Sequence, residues 1–274
     1  MEEAMTQYQR ALDLQPNHTV ALLNAARSLR SMKLNRQAES LYKRALAVEP
    51  DPQVMDNLAV FYINAGRLDE ARDLYEEAQR LFPHHLDTRV HHAQLLIRLR
   101  SFRAAEGLLL EIIHRNDTHR EALHTAALLC NHTNRTVQAI DYILKALKLC
   151  SVDDSSCARI HSDHGDILKD LGDLNLSAQS YQVAIELDPD QAHAHLNLAV
   201  IRHLKGDYSA AFRHYQVALS LDPKNQLITD NMAKLRRRLT RPQSVRSLPG
   251  GSPVCKDSSS PWASGGTDST WSDV

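Results

Sequence analysis

Residues 215–223 read YQVALSLDP, and residues 181–189 read YQVAIELDP, the same phrase 34 positions earlier. It recurs as YQRALDLQP ending at Pro16, YKRALAVEP ending at Pro50 and YEEAQRLFP ending at Pro83, in steps of 34 and 33 residues. The 106 residues from Pro83 to Pro189 hold three steps of 34 and four residues more. Two degenerate copies fill that gap: AAEGLLLEIIHRND, with Asp117 in the proline slot, and VQAIDYILKALKLCS, with Ser151 there. The extra four residues fall in CSVDDSSC, between Cys150 and Cys157. So fixed a period marks a repeat array, in which each unit buries its apolar face only against its neighbours.

Each unit reads as two amphipathic helices. The first carries apolar or small residues at helical spacing, as in Leu22, Ala25, Ala26 and Leu29, or Leu198 and Ala199. Gly66, Gly172 and Gly206 mark the turn that follows, where a glycine takes the left-handed conformation that ends a helix. The second helix repeats a small residue, an aromatic four on and an alanine three further: Ala38, Tyr42, Ala45; Ala71, Tyr75, Ala78; Ala211, Tyr215, Ala218. These share one face, so alanine admits the neighbouring backbone and tyrosine fills the groove beside it. Proline then stops the helix.

In these spaced small, aromatic and proline residues the chain resembles the tetratricopeptide-repeat family over about residues 1–239. The resemblance implies an all-α solenoid, a right-handed superhelix of helix-turn-helix repeats. Residues 1–16 would be a partial repeat, its second helix only, which makes Met1 look like a truncation or an alternative start with an uncovered apolar face. Residues 17–225 would hold six repeats and residues 226–239 a capping helix, with Asp230, Lys234 and Arg237 outward. From residue 240 to 274 Ser, Gly and Pro dominate, which predicts a disordered tail.

Composition narrows the functions. Of 274 residues 43% are hydrophobic and only 5% aromatic, with a formal net charge of −1. That supports a substantial core, disfavours an all-β fold and argues against nucleic acid as partner, since phosphate binding needs clustered cations. Nothing approaches the ~18 apolar residues of a membrane span. The opening MEEAMTQYQR lacks the apolar core of a secretory signal, so entry into a secretory compartment would be directed from outside this stretch. No phosphate loop, nucleophile elbow or His-Glu-x-x-His occurs, so no catalytic residue is nominated and no cofactor is expected. Among fifteen histidines, His161 and His164 share a helix face and His84/His85 and His91/His92 adjoin, but a zinc site needs three or four convergent ligands, and no metal is expected.

A binding surface is the better candidate. In tetratricopeptide solenoids the first helices line the concave side, and the residue two before the small one faces inward. Asn24, Asn57, His91, Thr125, Asp163 and Asn197 hold that slot here. An Asn amide both donates and accepts, so it can pair with the C=O and N–H of an extended peptide without reading its sequence. Superhelical relatives use such amides to hold polypeptide backbone. Asn24, Asn57 and Asn197 are therefore the candidate backbone holders, with His91 and Asp163 reading side chains; Asn as plain repeat consensus is the other reading of the same slot.

Five Asn-x-Ser/Thr sequons begin at Asn17, Asn116, Asn131, Asn134 and Asn175, all in predicted turns where a glycan acceptor is exposed, although turns also favour Asn, Ser and Thr for their own sake. Cys150 and Cys157 bracket the insertion closely enough to be bridged in an oxidising compartment. The closing run HLNLAVIRHLKGDYSAAFRHYQVALSLDPKNQLITDNMAKLRRRL is similar to the end of the transmembrane and tetratricopeptide-repeat O-mannosyltransferases, over about residues 192–239. That resemblance implies a place in the lumen of the endoplasmic reticulum beside a membrane-embedded catalytic half. It also implies polypeptide acceptors, cadherin-type domains among them, and membrane attachment only through a part absent from this sequence. The family's catalytic acidic residues are missing here, so none is carried over. The competing reading is a cytosolic scaffold: Ser272 and Val274 fit the Ser/Thr-x-apolar terminus that PDZ domains add as a strand.

Overall fold

The computed structural model describes residues 2–151 and 153–240. These form α1 (Glu2–Leu14), α2 (Thr19–Ser31), α3 (Asn35–Val48), α4 (Pro52–Asn64), α5 (Leu68–Leu81), α6 (Leu86–Arg98), α7 (Phe102–Arg115), α8 (Arg120–His132), α9 (Thr136–Leu147), α10 (Ala158–Asp170), α11 (Leu174–Leu187), α12 (Ala192–Leu204), α13 (Tyr208–Leu221) and α14 (Gln226–Thr240), with a single 3-10 turn at Ser155–Cys157. No strand occurs among the described residues. Two compact units divide between Asp188 and Pro189. The first holds α1 and the hairpins α2–α3, α4–α5, α6–α7, α8–α9 and α10–α11; the second holds the hairpin α12–α13 and then α14.

Helix ends follow from local chemistry. The Asp51 carboxylate accepts from the Val54 N–H (2.9 Å) at the start of α4, and Pro52 occupies the first turn, where its missing N–H costs nothing. His18, His85 and His119 cap α2, α6 and α8 in the same way, each Nδ1 accepting from the N–H three residues on. The turn inside each hairpin needs one residue at positive φ. Gly66, Gly172 and Gly206 supply it as expected, at 76°, 83° and 82°. The other three turns place Lys33, Arg100 and Asn134 there, at 61°, 58° and 57°. Asn tolerates that conformation; Lys and Arg carry a Cβ penalty of roughly 1 kcal/mol or more.

The repeated triplets build the core. Tyr42, Tyr75, Tyr181 and Tyr215 are fully buried, and Leu109 and Ile143 take the same position in α7 and α9. Their small neighbours Ala38, Ala45, Ala71, Ala78, Ala211 and Ala218 have no exposed surface. At α10–α11 the fit is tightest: Ser177 Oγ donates to the Gly165 carbonyl (2.7 Å), and the Tyr181 hydroxyl donates to Asp166 (2.6 Å). In unit 2, Ile228, Met232 and Leu235 of α14 close the core over Tyr215 and Ala218, leaving Asp230, Lys234 and Arg237 outside. The insertion after α9 is pinned by a Cys150–Cys157 disulfide (Cα–Cα 6.1 Å) and by Arg120 of α8, whose guanidinium donates to Asp154 at 2.5 Å.

Candidate peptide-binding face

In unit 1 the first helices α2, α4, α6, α8 and α10 contact one another in succession. Their slot residues Asn24, Asn57, His91 and Asp163 are half-buried, and Thr125 is buried. Every junction between neighbouring first helices is crossed by a side-chain hydrogen bond or ion pair involving this stripe or the residue beside it. Arg27 Nε donates to Asn57 Oδ1 (2.9 Å) from α2 to α4. Between α4 and α6, Thr88 Oγ1 donates to Asp56 Oδ2 (3.1 Å), and His91 Nδ1 lies 3.4 Å from the same oxygen. Gln94 Nε2 donates to Thr125 Oγ1 (3.2 Å) from α6 to α8, and His124 Nε2 sits 2.6 Å from Asp163 Oδ2 between α8 and α10. A polar spine thus runs along unit 1 beside its buried core.

The electrostatics follow from these pairings. Burial pulls the His91 imidazole down, but the Asp56 carboxylate 3.4 Å away, with Asp87 and Glu121 nearby, outweighs burial and leaves it above the ordinary histidine value. Its neighbour His92, stacked on Tyr75 in the interior, is held down to about 4 by burial and by Arg72. Adjacent residues are therefore shifted in opposite directions because one faces a carboxylate and the other the core.

The expected backbone holders stand unequally. Asn24 has no side-chain hydrogen-bond partner among the described residues. Asn57 is already oriented: besides accepting from Arg27, its Nδ2 donates to the Gln53 carbonyl (2.7 Å). In unit 2 the Asn197 amide meets the His193 ring at 2.9 Å. Sequence reasoning missed Arg27, Asp56, Gln94 and His124, which lie off the slot and show no periodicity. It also missed Asn231 of α14, although the period points to it, 34 residues after Asn197; this side chain is buried and its Oδ1 has no partner among the described residues.

Asn17, Asn116 and Asn134 are exposed in turns or loops. Two sequons depart from the turn placement expected of all five. Asn131 lies in the last turn of α8, half-buried, its amide donating to Asp170 (3.2 Å), because the helix runs three residues past the core leucine Leu129. Asn175 is exposed but within the first turn of α11, because Asp173 caps that helix just before it; Ser177 of the same sequon is fully buried. His164 is spent on Ser180 (3.1 Å), and both His161 and His164 are lowered by burial. Ser272 and Val274, with the tail of residues 241–274, lie outside the described residues. No helix among the described residues is long and apolar enough to cross a membrane.

Family models described as tetratricopeptide repeat match residues 23–85, 62–129 and 194–227, and one described as TPR repeat matches residues 165–206. Protein O-mannosyl-transferase TMTC1 of Homo sapiens is 35% identical over 229 residues, which is 84% of this chain and 26% of that protein. TMTC1 of Mus musculus is 35% identical over 233 residues, 85% of this chain and 25% of that protein. The chain thus spans about a quarter of the length of these curated relatives. Among solved structures, the APC/C hetero-tetramer Cut9–Hcn1 superposes with a TM-score of 0.71 at 16% identity, covering 85% of this chain and 45% of that one, a likeness of fold alone. Paired helices on a period of 34, alanine and tyrosine in step at their contacts, and these matches establish that the chain belongs to the tetratricopeptide-repeat family, with a repeat region similar to that of the protein O-mannosyl-transferases.

Proposed function

We propose that the first-helix face binds an extended polypeptide segment through Asn24, Asn57, His91 and Asp163, with Asn197 in the same role in unit 2. We further infer that the chain is the partner-binding part of a protein O-mannosyl-transferase acting in the lumen of the endoplasmic reticulum. The observation that carries this reading is the 35% identity to TMTC1 along 84% of the chain. The polar spine supports it physically: Arg27 fixes the rotamer of Asn57 and His124 that of Asp163 before any ligand arrives. Holding side chains in place beforehand spares a peptide ligand roughly 0.5–1.5 kcal/mol of ordering cost for each. The Cys150–Cys157 bond and the exposed acceptors Asn17, Asn116 and Asn134 suit an oxidising, glycosylating compartment.

The test has two arms. Asn24→Ala, Asn57→Ala and Asn197→Ala combined should weaken capture of acceptor polypeptides, cadherin-type domains first among them, with helical content kept; equal capture refutes the peptide-binding reading. Glycosidase treatment of the chain made in cells should raise its gel mobility; an unchanged band in every preparation refutes lumenal exposure.

A further inference from the structure

The turn ends of the hairpins in unit 1 form an edge distinct from the first-helix face. Successive turns are adjacent there: Arg67, opening α5, reaches back to Glu39 of α3 (2.9 Å), and Arg135, opening α9, reaches back to Glu106 of α7. Along this edge Lys33, Arg36, Arg98, Arg100 and Arg103 are exposed, and none has an ion-pair or side-chain hydrogen-bond partner among the described residues. The acidic side chains of the intervening α4–α5 turn are already answered, Glu70 by Arg67 and Asp69 by Arg72. Large apolar side chains stand out among the cations: Met32 (40% exposed), Leu34 (41%) and Val137 (84%).

Two features argue that this is more than ordinary solvated surface. The opposite ends of the same hairpins carry Glu49, Asp51, Asp87 and Asp117, and of the cations there Arg44 and Arg115 are tied to the carbonyls of Pro16 and Pro83 while Lys148 stands exposed, so exposed unpaired cations are more numerous at the turn ends. Moreover, Lys33 and Arg100 occupy the left-handed position that glycine fills in three equivalent turns, so two cations stand at the tips despite a backbone penalty.

We propose that this turn edge docks on an anionic lipid surface, the cations meeting headgroup phosphates while Met32, Leu34 and Val137 enter the interface between them. Unpaired cations interleaved with protruding apolar side chains are the composition that binds such an interface. An acidic peptide would use the cations but leave the apolar side chains unexplained.

The experiment is flotation of the full chain with phosphatidylcholine vesicles, with and without phosphatidylserine, at low and high salt. Lys33→Gly with Arg100→Gly removes two charges while easing both turns, so loss of binding is not loss of folding. Each cation near an anionic surface is worth about fivefold in partitioning, so the double variant should bind about 25-fold more weakly. Binding of the parent should need phosphatidylserine and fall with salt, and Met32→Ser with Leu34→Ser should weaken what remains at high salt. Arg236, Arg237 and Arg238 are unchanged throughout, so a drop assigns binding to the turns. No flotation of the parent, equal flotation of parent and double variant, or capture by polyglutamate in place of vesicles overturns the proposal. Since the variants leave the first-helix face intact, peptide capture serves as an independent readout.

Discussion

Gly165 is the one place in the repeat core where the small first-helix residue has shrunk from Ala to Gly, and the geometry says why. A Cβ built there would lie 2.8 Å from Cε1 of Tyr181 and 2.9 Å from Cδ1 and Cζ. Ordinary contact begins near 3.4 Å, so the ring must retreat by roughly half an ångström. It has nowhere to go: Tyr181 is fully buried, its hydroxyl is held by Asp166, and the Ser177–Gly165 bond draws the two helices together. Gly165→Ala gains about 1 kcal/mol of helix propensity but incurs about 1–3 kcal/mol of overpacking and weakens a hydrogen bond to a carboxylate worth about 1.5–3 kcal/mol. The expected net is a loss of about 1–3 kcal/mol. Urea unfolding followed by circular dichroism measures it, and hydrogen exchange should place the damage in α10 and α11, since repeats feel mainly their neighbours. With Tyr181→Leu, the residue type α7 carries at that position, Gly165→Ala should turn neutral or stabilising. A parent protein equally or more stable with Ala at 165 would refute the reasoning.

Lys33→Gly and Arg100→Gly should each raise the thermal midpoint, by about 0.5–1 kcal/mol of relieved backbone strain; a lowered midpoint would show that those side chains stabilise the turn. His92 is held neutral, near pKa 4 against an ordinary 6.5, so the unfolded chain binds its proton first. Stability is then complete above pH 6.5 and lost as pH falls towards 4, by on the order of 2–3 kcal/mol from this group; the urea midpoint of the parent should fall relative to that of His92→Phe across that window, and parallel curves would refute it. Replacing Cys150 and Cys157 together by Ser should cost about 2–3 kcal/mol through the freed loop, read by the same titration under non-reducing conditions. Ala218→Leu should cost about 1–3 kcal/mol or more, since Ala218 has no exposed surface beside Tyr215; an unchanged melting curve would contradict the helix register.

The helices and their contact faces were legible because small and aromatic residues return in step, and a buried triplet tolerates little else. Lys33 and Arg100 escaped because a left-handed turn residue was sought as glycine; only counting 33 or 34 residues from Gly66 reveals them, and counting works because the turn is set by the helices on either side. The stripe was legible as positions and illegible as chemistry. Asn57 looks like a free amide until Arg27, thirty residues earlier, is found against it, and such a pair carries no periodic signal because each junction uses different residues.

That irregularity has a consequence for how the array can bind. At α4 and α8 adjacent residues divide the work: Asp56 and His124 turn to the next first helix, while Asn57 and Thr125 hold the slot and accept from the helix before. A ligand contacting Asn57 or Asp163 therefore touches groups that also tie one repeat to the next, and its binding energy is linked to the stiffness of those junctions. An array joined only by alanines and tyrosines would have no such link. Asn24, which has no such tie, should act as a simple contact, so that Asn24→Ala weakens capture alone. Asn57→Ala should also free Arg27 and loosen the α2–α4 junction. Hydrogen exchange in α2 that is unchanged by Asn57→Ala would break the connection between the spine and the binding face.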